Sequence, residues 1–188
     1  VNPPHDILAK TNVFSTSSAM SRFRPPQPKA SPYISQEGYS ALLQEQKTLW
    51  ARRVEVTRVL SAAAAEGDRS ENAEYIYRKK ELRGIDRRIR YLQKRLPELK
   101  VVDSIPDNPH QVFFGAWVTL ESESGEEQTY RIVGPDEFDT HKFYISMDSP
   151  MARALLKKTV DDEVIVETPK GAVHYWITAI AYSQQNSD

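Results

Sequence analysis

The chain has 188 residues, 39% hydrophobic and 27% charged, with a formal net charge of −1, so one large or two small domains with extensive surface can form. The absence of cysteine excludes disulfides, thiolate zinc sites and a cysteine nucleophile, and suits a reducing cytoplasm. No apolar run approaches the ~20 residues of a membrane helix, and no Lys- or Arg-led apolar segment marks a secretory signal.

Residues 1–31 carry Pro3, Pro4, Pro25, Pro26 and Pro28 near Ser15, Ser17 and Ser18. They show no hydrophobic period, which predicts a disordered tail. Met20-Ser21-Arg22-Phe23-Arg24 reads as a start, with residues 1–19 non-native or an upstream extension. The prolines oppose the amphipathic helix of a transit peptide.

A helix start follows at Ile34-Ser35-Gln36-Glu37-Gly38-Tyr39, where Ser35 can cap and Ile34 can staple to Tyr39. Leu42, Gln46, Leu49, Arg53, Val56, Leu60 and Ala63 then recur at steps of four and three, a coiled-coil seam with two polar interruptions. Leu43, Trp50 and Val54 are expected to widen its apolar face. Ala62-Ala63-Ala64-Ala65 thins the far end, and Gly67 suits the left-handed residue that ends a helix. A second seam comprises Tyr75, Arg78, Leu82, Ile85, Ile89, Leu92, Leu96 and Leu99. Pairing Leu42 with Leu96, and Ala63 with Tyr75, folds an antiparallel hairpin at Asp68–Ser70. At ~1.5 Å per residue the first helix is roughly 48 Å long, which predicts a projecting arm.

Charge is uneven along the chain. Residues 78–95 carry nine bases against two acids, whereas residues 101–188 carry fifteen acids against six bases. A basic arm on an acidic body suggests that the arm meets a polyanion. Solvated coiled-coil flanks account for the same run, and Arg78 on the seam is expected to snorkel outward.

Asp68-Arg69-Ser70-Glu71 at the turn has two readings. As a capping box, Asp68 caps the second helix and Glu71 reaches back. As a pair of carboxylates on adjacent turns, Asp68 and Glu71 suit a hard cation such as magnesium. Two carboxylates do not close a site, so further ligands would have to come from a partner.

Residues 101–111 read as a linker to a β-rich unit over 112–182, with a tail at 183–188. Ala116, Val118 and Leu120 alternate with Trp117, Thr119 and Glu121, and Ser124-Gly125 marks a hairpin turn. Further strands are predicted at Gln128–Val133, Phe143–Ser146, Glu163–Thr168 and Val173–Tyr182. Ser149-Pro150 opens a short helix through Lys157. The fold class is therefore α+β, a helical hairpin over 33–100 followed by a small mixed domain. His5, His110, His141 and His174 show no zinc spacing, and no nucleophile motif supports an autonomous hydrolase.

Gly67-Asp68-Arg69-Ser70-Glu71-Asn72-Ala73-Glu74-Tyr75 and Ile85-Asp86-Arg87-Arg88-Ile89-Arg90-Tyr91-Leu92 resemble the bacterial Gre transcript-cleavage factors, most closely the GreB type. So do Val112-Phe113-Phe114-Gly115-Ala116-Trp117-Val118, Tyr130-Arg131-Ile132-Val133-Gly134 and Tyr144-Ile145-Ser146-Met147-Asp148-Ser149-Pro150-Met151-Ala152-Arg153-Ala154-Leu155-Leu156. The resemblance covers roughly residues 33–182. It implies an antiparallel coiled-coil hairpin followed by an FKBP-like domain, in a bacterial cytoplasmic protein. The hairpin would enter the secondary channel of bacterial RNA polymerase, where Asp68 and Glu71 help hold the second Mg2+ of the polymerase active centre. The polymerase then hydrolyses the 3′ end of backtracked nascent RNA, so the chain is not itself an enzyme. Arg78, Lys79, Arg83, Arg87 and Arg90 would guide the extruded RNA, and Asp148, Ser149 and Pro150 would dock at the channel rim. The competing readings are a channel-binding regulator without cleavage activity and a structural coiled-coil adaptor that binds RNA.

Overall fold

Residues 29–65, 72–137, 139, 143–169 and 171–182 are described by the structure, a computed structural model. Strand β1 (Tyr33–Ser35) leads into helix α1 (Gln36–Ala65), and helix α2 (Ala73–Arg95) returns antiparallel to it. Ser35 caps α1, its Oγ accepting from the Gly38 N–H at 3.0 Å. Ile34 is fully buried and packs with Tyr39, Leu42, Leu92 and Leu96. Higher up the arm, Val56, Ile85 and Ile89 form a second layer with Leu49 and Leu82. The seam residues thus meet in the expected register, and α1 is about 45 Å long at 1.5 Å per residue.

Leu43, Trp50 and Val54 do not widen the seam: all three are exposed, Val54 at 68%. They lie outside the stripe that faces α2, on the flank opposite two interhelical ion pairs. Those pairs seal the other flank. Arg88 grips Glu45 with two bonds of 2.7 and 2.8 Å, and Arg52 grips Glu81 at 2.7 Å. Arg53, a polar seam residue, pairs with Asp86 at 2.7 Å.

A 3-10 turn (Leu96–Glu98) ends α2, and strand β2 (Lys100–Val102) pairs in parallel with β1, Ile34 opposite Val101. Residues 101 and 102, read from sequence as linker, therefore belong to the root of the hairpin. Residues 29–31, read as tail, are also placed: the Lys29 ammonium reaches Glu98 at 3.4 Å, and the Ala30 and Ser31 carbonyls accept from Arg95.

The C-terminal domain is a five-stranded sheet in the order β5-β4-β3-β7-β6, with one short helix. Its elements are β3 (Trp117–Ser122), β4 (Glu127–Val133), β5 (Tyr144–Ser146), α3 (Pro150–Leu155), β6 (Glu163–Thr168) and β7 (Gly171–Ala181). All strand pairs are antiparallel except β4 with β5. A register shift at Thr119/Leu120 against β7 bends the sheet. Alternation does the sorting: Val118, Leu120, Val164, Val166 and Ile177 turn inward and pack with Ala152 and Leu155 of α3. The result is the small FKBP-like α+β domain.

α3 is shorter than the expected span to Lys157. Leu156 already adopts an extended ψ of 134° and Lys157 a φ of 68°. The Lys157 N–H then turns to the Val112 carbonyl at 2.7 Å, pinning the chain to the core. Every described hydrogen bond and ion pair between hairpin and domain lies at the hairpin root, at residues 31–37 and 91–95. The rest of the arm projects.

Candidate functional site

At the far end of the arm, Asn72 joins the two helices. Its Oδ1 accepts from the Tyr75 N–H at 3.1 Å, which caps α2, and its Nδ2 donates to the Ala63 carbonyl at 3.2 Å. The cap of α2 is Asn72, and the capping box expected at Asp68-Arg69-Ser70-Glu71 lies outside the described residues. Asn72 stands three residues before Tyr75, the first seam residue of α2, and that spacing was the available signal. Asp68 and Glu71 lie outside the described residues, on the segment that connects Ala65 to Asn72. Among the described residues no group of three or more acids and histidines could hold a metal ion.

The basic run on α2 divides by helical position. Arg78, Arg88 and Arg95 point to neighbours. Arg78 donates to Glu81 at 3.0 Å and reaches Glu74 at 3.5 Å, while its guanidinium lies 5.5 Å from the Tyr77 ring. It does not snorkel into solvent, its side chain being only 25% exposed. Glu81 binds Arg78 and Arg52 together. The Arg52 guanidinium, hydrogen-bonded to it, does most to hold its carboxyl below the usual range.

Lys79, Lys80, Arg83, Arg87, Arg90 and Lys94 are exposed and make no ion pair with a described residue. At 3.6 residues per turn these six fall within an arc of about 100°, opposite the buried Ile85, Ile89 and Leu92. No acid of α2 shares that arc, which extends about 22 Å along the helix. Four of the five sequence-predicted cations lie on it, and Arg78 does not. Lys80 and Lys94 join it, although the sequence reading passed them over. Lys79 also sits 5.4 Å from the Tyr75 ring centroid. Such a stripe can track a phosphate backbone.

At the root, Asp148, Ser149 and Pro150 occupy the loop before α3. The Ser149 Oγ caps α3, accepting from the Ala152 N–H at 3.1 Å. Pro150 opens the helix and is exposed. Both Asp148 oxygens bind Ser31, Oδ1 accepting from its hydroxyl and Oδ2 from its N–H at 2.8 Å. Burial opposes charge on Asp148, but the Ser31 bonds together with the charges of Arg153 and Arg95 outweigh it and hold the carboxyl below its usual range. Asp148 is thus tied within the molecule, and of the three residues only Pro150 is exposed.

Two family descriptions match in succession: "Transcription elongation factor, N-terminal" over residues 32–101 and "Transcription elongation factor, GreA/GreB, C-term" over residues 107–182. The relative described as transcription elongation factor GreB in Pseudomonas aeruginosa is 56% identical over 164 residues, covering 87% of this chain and 98% of its own length. The chain belongs to the GreA/GreB transcription elongation factor family. GreB of Yersinia pestis is 57% identical over 157 residues, covering 83% of this chain and 92% of its own. GreB of Pasteurella multocida is 58% identical over 153 residues, covering 81% and 97%. The crystal structure of GreA factor homolog 1 of Thermus thermophilus is 28% identical and covers 79% of this chain, with a TM-score of 0.38. No described helix is long and apolar enough to cross a membrane.

Proposed function

We propose that this chain is a transcription elongation factor that stimulates RNA polymerase to cleave the 3′ end of backtracked nascent RNA. The observation that carries the reading is the arm. Two acids, Asp68 and Glu71, lie on the segment joining two helices that, among the described residues, are bonded to the body only at their root. A helix pair is roughly as slender as a protein element can be while remaining stiff, and its reach of tens of ångströms suits a narrow channel. Acids used only within this chain would gain nothing from such a distance.

Two carboxylates are hard oxygen donors, the donor type that magnesium takes, and they leave a coordination set that a partner must complete. Asp68 and Glu71 would hold Mg2+ jointly with the polymerase active centre. When bound there, the ion supplies charge neutralisation at the reacting phosphate and a more acidic water. The chain's own contribution is positional. It brings two negative charges to the reaction centre, presents cations to the extruded RNA, and fixes itself at the channel rim.

The outward stripe of Lys79, Lys80, Arg83, Arg87, Arg90 and Lys94 is the candidate RNA surface. Arg78 supports it indirectly by ordering Glu81 and Glu74. At the rim, Pro150 would make contact while Ser149 and Asp148 set the loop's shape. Such a factor works where transcription does, in the bacterial cytoplasm. The direct assay adds the purified chain and Mg2+ to backtracked elongation complexes. Shortened RNA that resumes extension is the expected product, and RNA of unchanged length would contradict the reading. A channel-binding regulator without cleavage activity would give that second result.

A further inference from the structure

The root of the arm contains a continuous bonded path between the loop before α3 and the end of α2. Asp148 accepts the hydroxyl and N–H of Ser31. The Ser31 carbonyl accepts from Arg95 Nη2, and Arg95 Nε donates to Asp136 at 2.8 Å. The Tyr91 hydroxyl, one turn back on α2, also donates to Asp136. Among the described residues Arg95 is the one polar or charged residue buried as a whole, main chain included. Seam packing does not account for its burial, because its hydrogen-bond partners belong to the strap at residues 30–31 and to the domain, and the hairpin adds a longer ion pair to Glu98 at 3.9 Å.

We propose that Ser31 and Arg95 are positioning residues that fix the direction of the arm relative to the Asp148–Pro150 loop. This rests on the reading that loop and arm tip engage the same polymerase. The argument is one of leverage. α2 is about 34 Å long, so a swing of ~10° at its root moves its far end by about 6 Å. Functional groups must be held to about 0.5 Å. Helix stiffness cannot supply that tolerance unless the joint is equally stiff. Ser31 and Arg95 are suited to supply it because each bonds to both sides of the joint, and Pro32 between Ser31 and β1 limits the strap's own freedom. Neither residue would touch RNA or metal.

The test uses the full chain, whose lack of cysteine permits clean spin labelling. Labels at Ser61→Cys on α1 and Glu167→Cys on β6 report the angle between arm and domain. The unsubstituted joint should give one narrow distance distribution. Ser31→Ala and Arg95→Met should broaden or shift it, and Ser31→Thr, which keeps the hydroxyl, should restore it. The same two variants should lower the rate of stimulated cleavage by on the order of tenfold to a hundredfold. Their affinity in competition for polymerase should fall much less than the cleavage rate. An unaltered distance distribution in both variants would overturn the proposal. So would a broadened distribution with cleavage at the parental rate. Because distances are read on the free protein, failure of the parent chain to stimulate cleavage would strike the proposed function and leave the joint to be judged on its own distances. Ser31→Ala removes only an oxygen, so the test survives if Arg95→Met fails to fold.

Discussion

Arg95 at the end of α2 and Asp136 in the turn after β4 form an ion pair of 2.8 Å, with side chains only 7% and 5% exposed. The pair joins two parts of the chain forty-one residues apart. Removing one member of a buried pair leaves an uncompensated charge, which typically costs about 3–5 kcal/mol. Asp136→Ala should therefore lower stability in urea by an amount of that order. Arg95→Met with Asp136→Leu should recover much of the loss while leaving the arm less well oriented. Equilibrium unfolding of the single and double variants checks this.

Two glycines let arm and domain approach. A Cβ on Gly134 would lie 2.1 Å from the Tyr33 carbonyl oxygen, and one on Gly38 would lie 1.9 Å from the Glu137 carboxylate. The first obstacle is backbone and cannot step aside. The second is a side chain that binds Ser35 and the Gly134 N–H. Gly134→Ala should be the more damaging change. Gly38→Ala should be partly rescued by Glu137→Ala, because alanine is otherwise the better helix former by about 1 kcal/mol. Thermal unfolding of the three variants decides the order.

The Asp148–Ser31 clamp sets an acid limit. The folded carboxyl titrates below its unfolded value of about 3.9. Between those two pKa values the unfolded chain binds more protons, so stability rises with pH there. The contribution is complete above the unfolded pKa and disappears as pH falls through the folded one. The Ser31 amide resonance should shift in that window, below about pH 4. In Asp148→Asn the shift should be absent. Watching Ser31 itself matters because Asp162, held by Thr159, is lowered as well.

Much of this architecture was legible in the residues. Leu42 and Leu96 do share a layer, the strand at Glu163–Thr168 follows its alternation, and a strand lies over Gln128–Val133 although Ile132 and Val133 are both buried. Seams and half-buried strands repeat, and repetition is readable. The β1–β2 pair was not legible, because three residues against three carry no period. Arg95 looked like one more member of a basic run, since its partners Ser31 and Asp136 are distant in sequence. Asp68 and Asn72 are both good cap residues, and only the helix start at Ala73 chooses between them. The chemistry expected of Asp68 and Glu71 came from the family resemblance, because paired acids alone also read as a cap.

The outward cation stripe predicts a separable RNA contribution. Replacing Arg83, Arg87 and Arg90 with alanine removes three phosphate contacts at most. The slope of log affinity for single-stranded RNA against log salt should then flatten by about 2. Arg78→Ala should leave that slope unchanged and instead weaken the arm, because its guanidinium is engaged by Glu81 and Glu74. Binding isotherms at several salt concentrations separate the two outcomes.

The most direct measurement concerns the two acids themselves. Asp68→Asn with Glu71→Gln keeps size and removes charge, and the variant should compete for polymerase as the parent does. On backtracked complexes with Mg2+, its stimulated cleavage should fall by at least about tenfold. Cleavage at the parental rate would contradict the claim that these carboxylates are what the arm delivers.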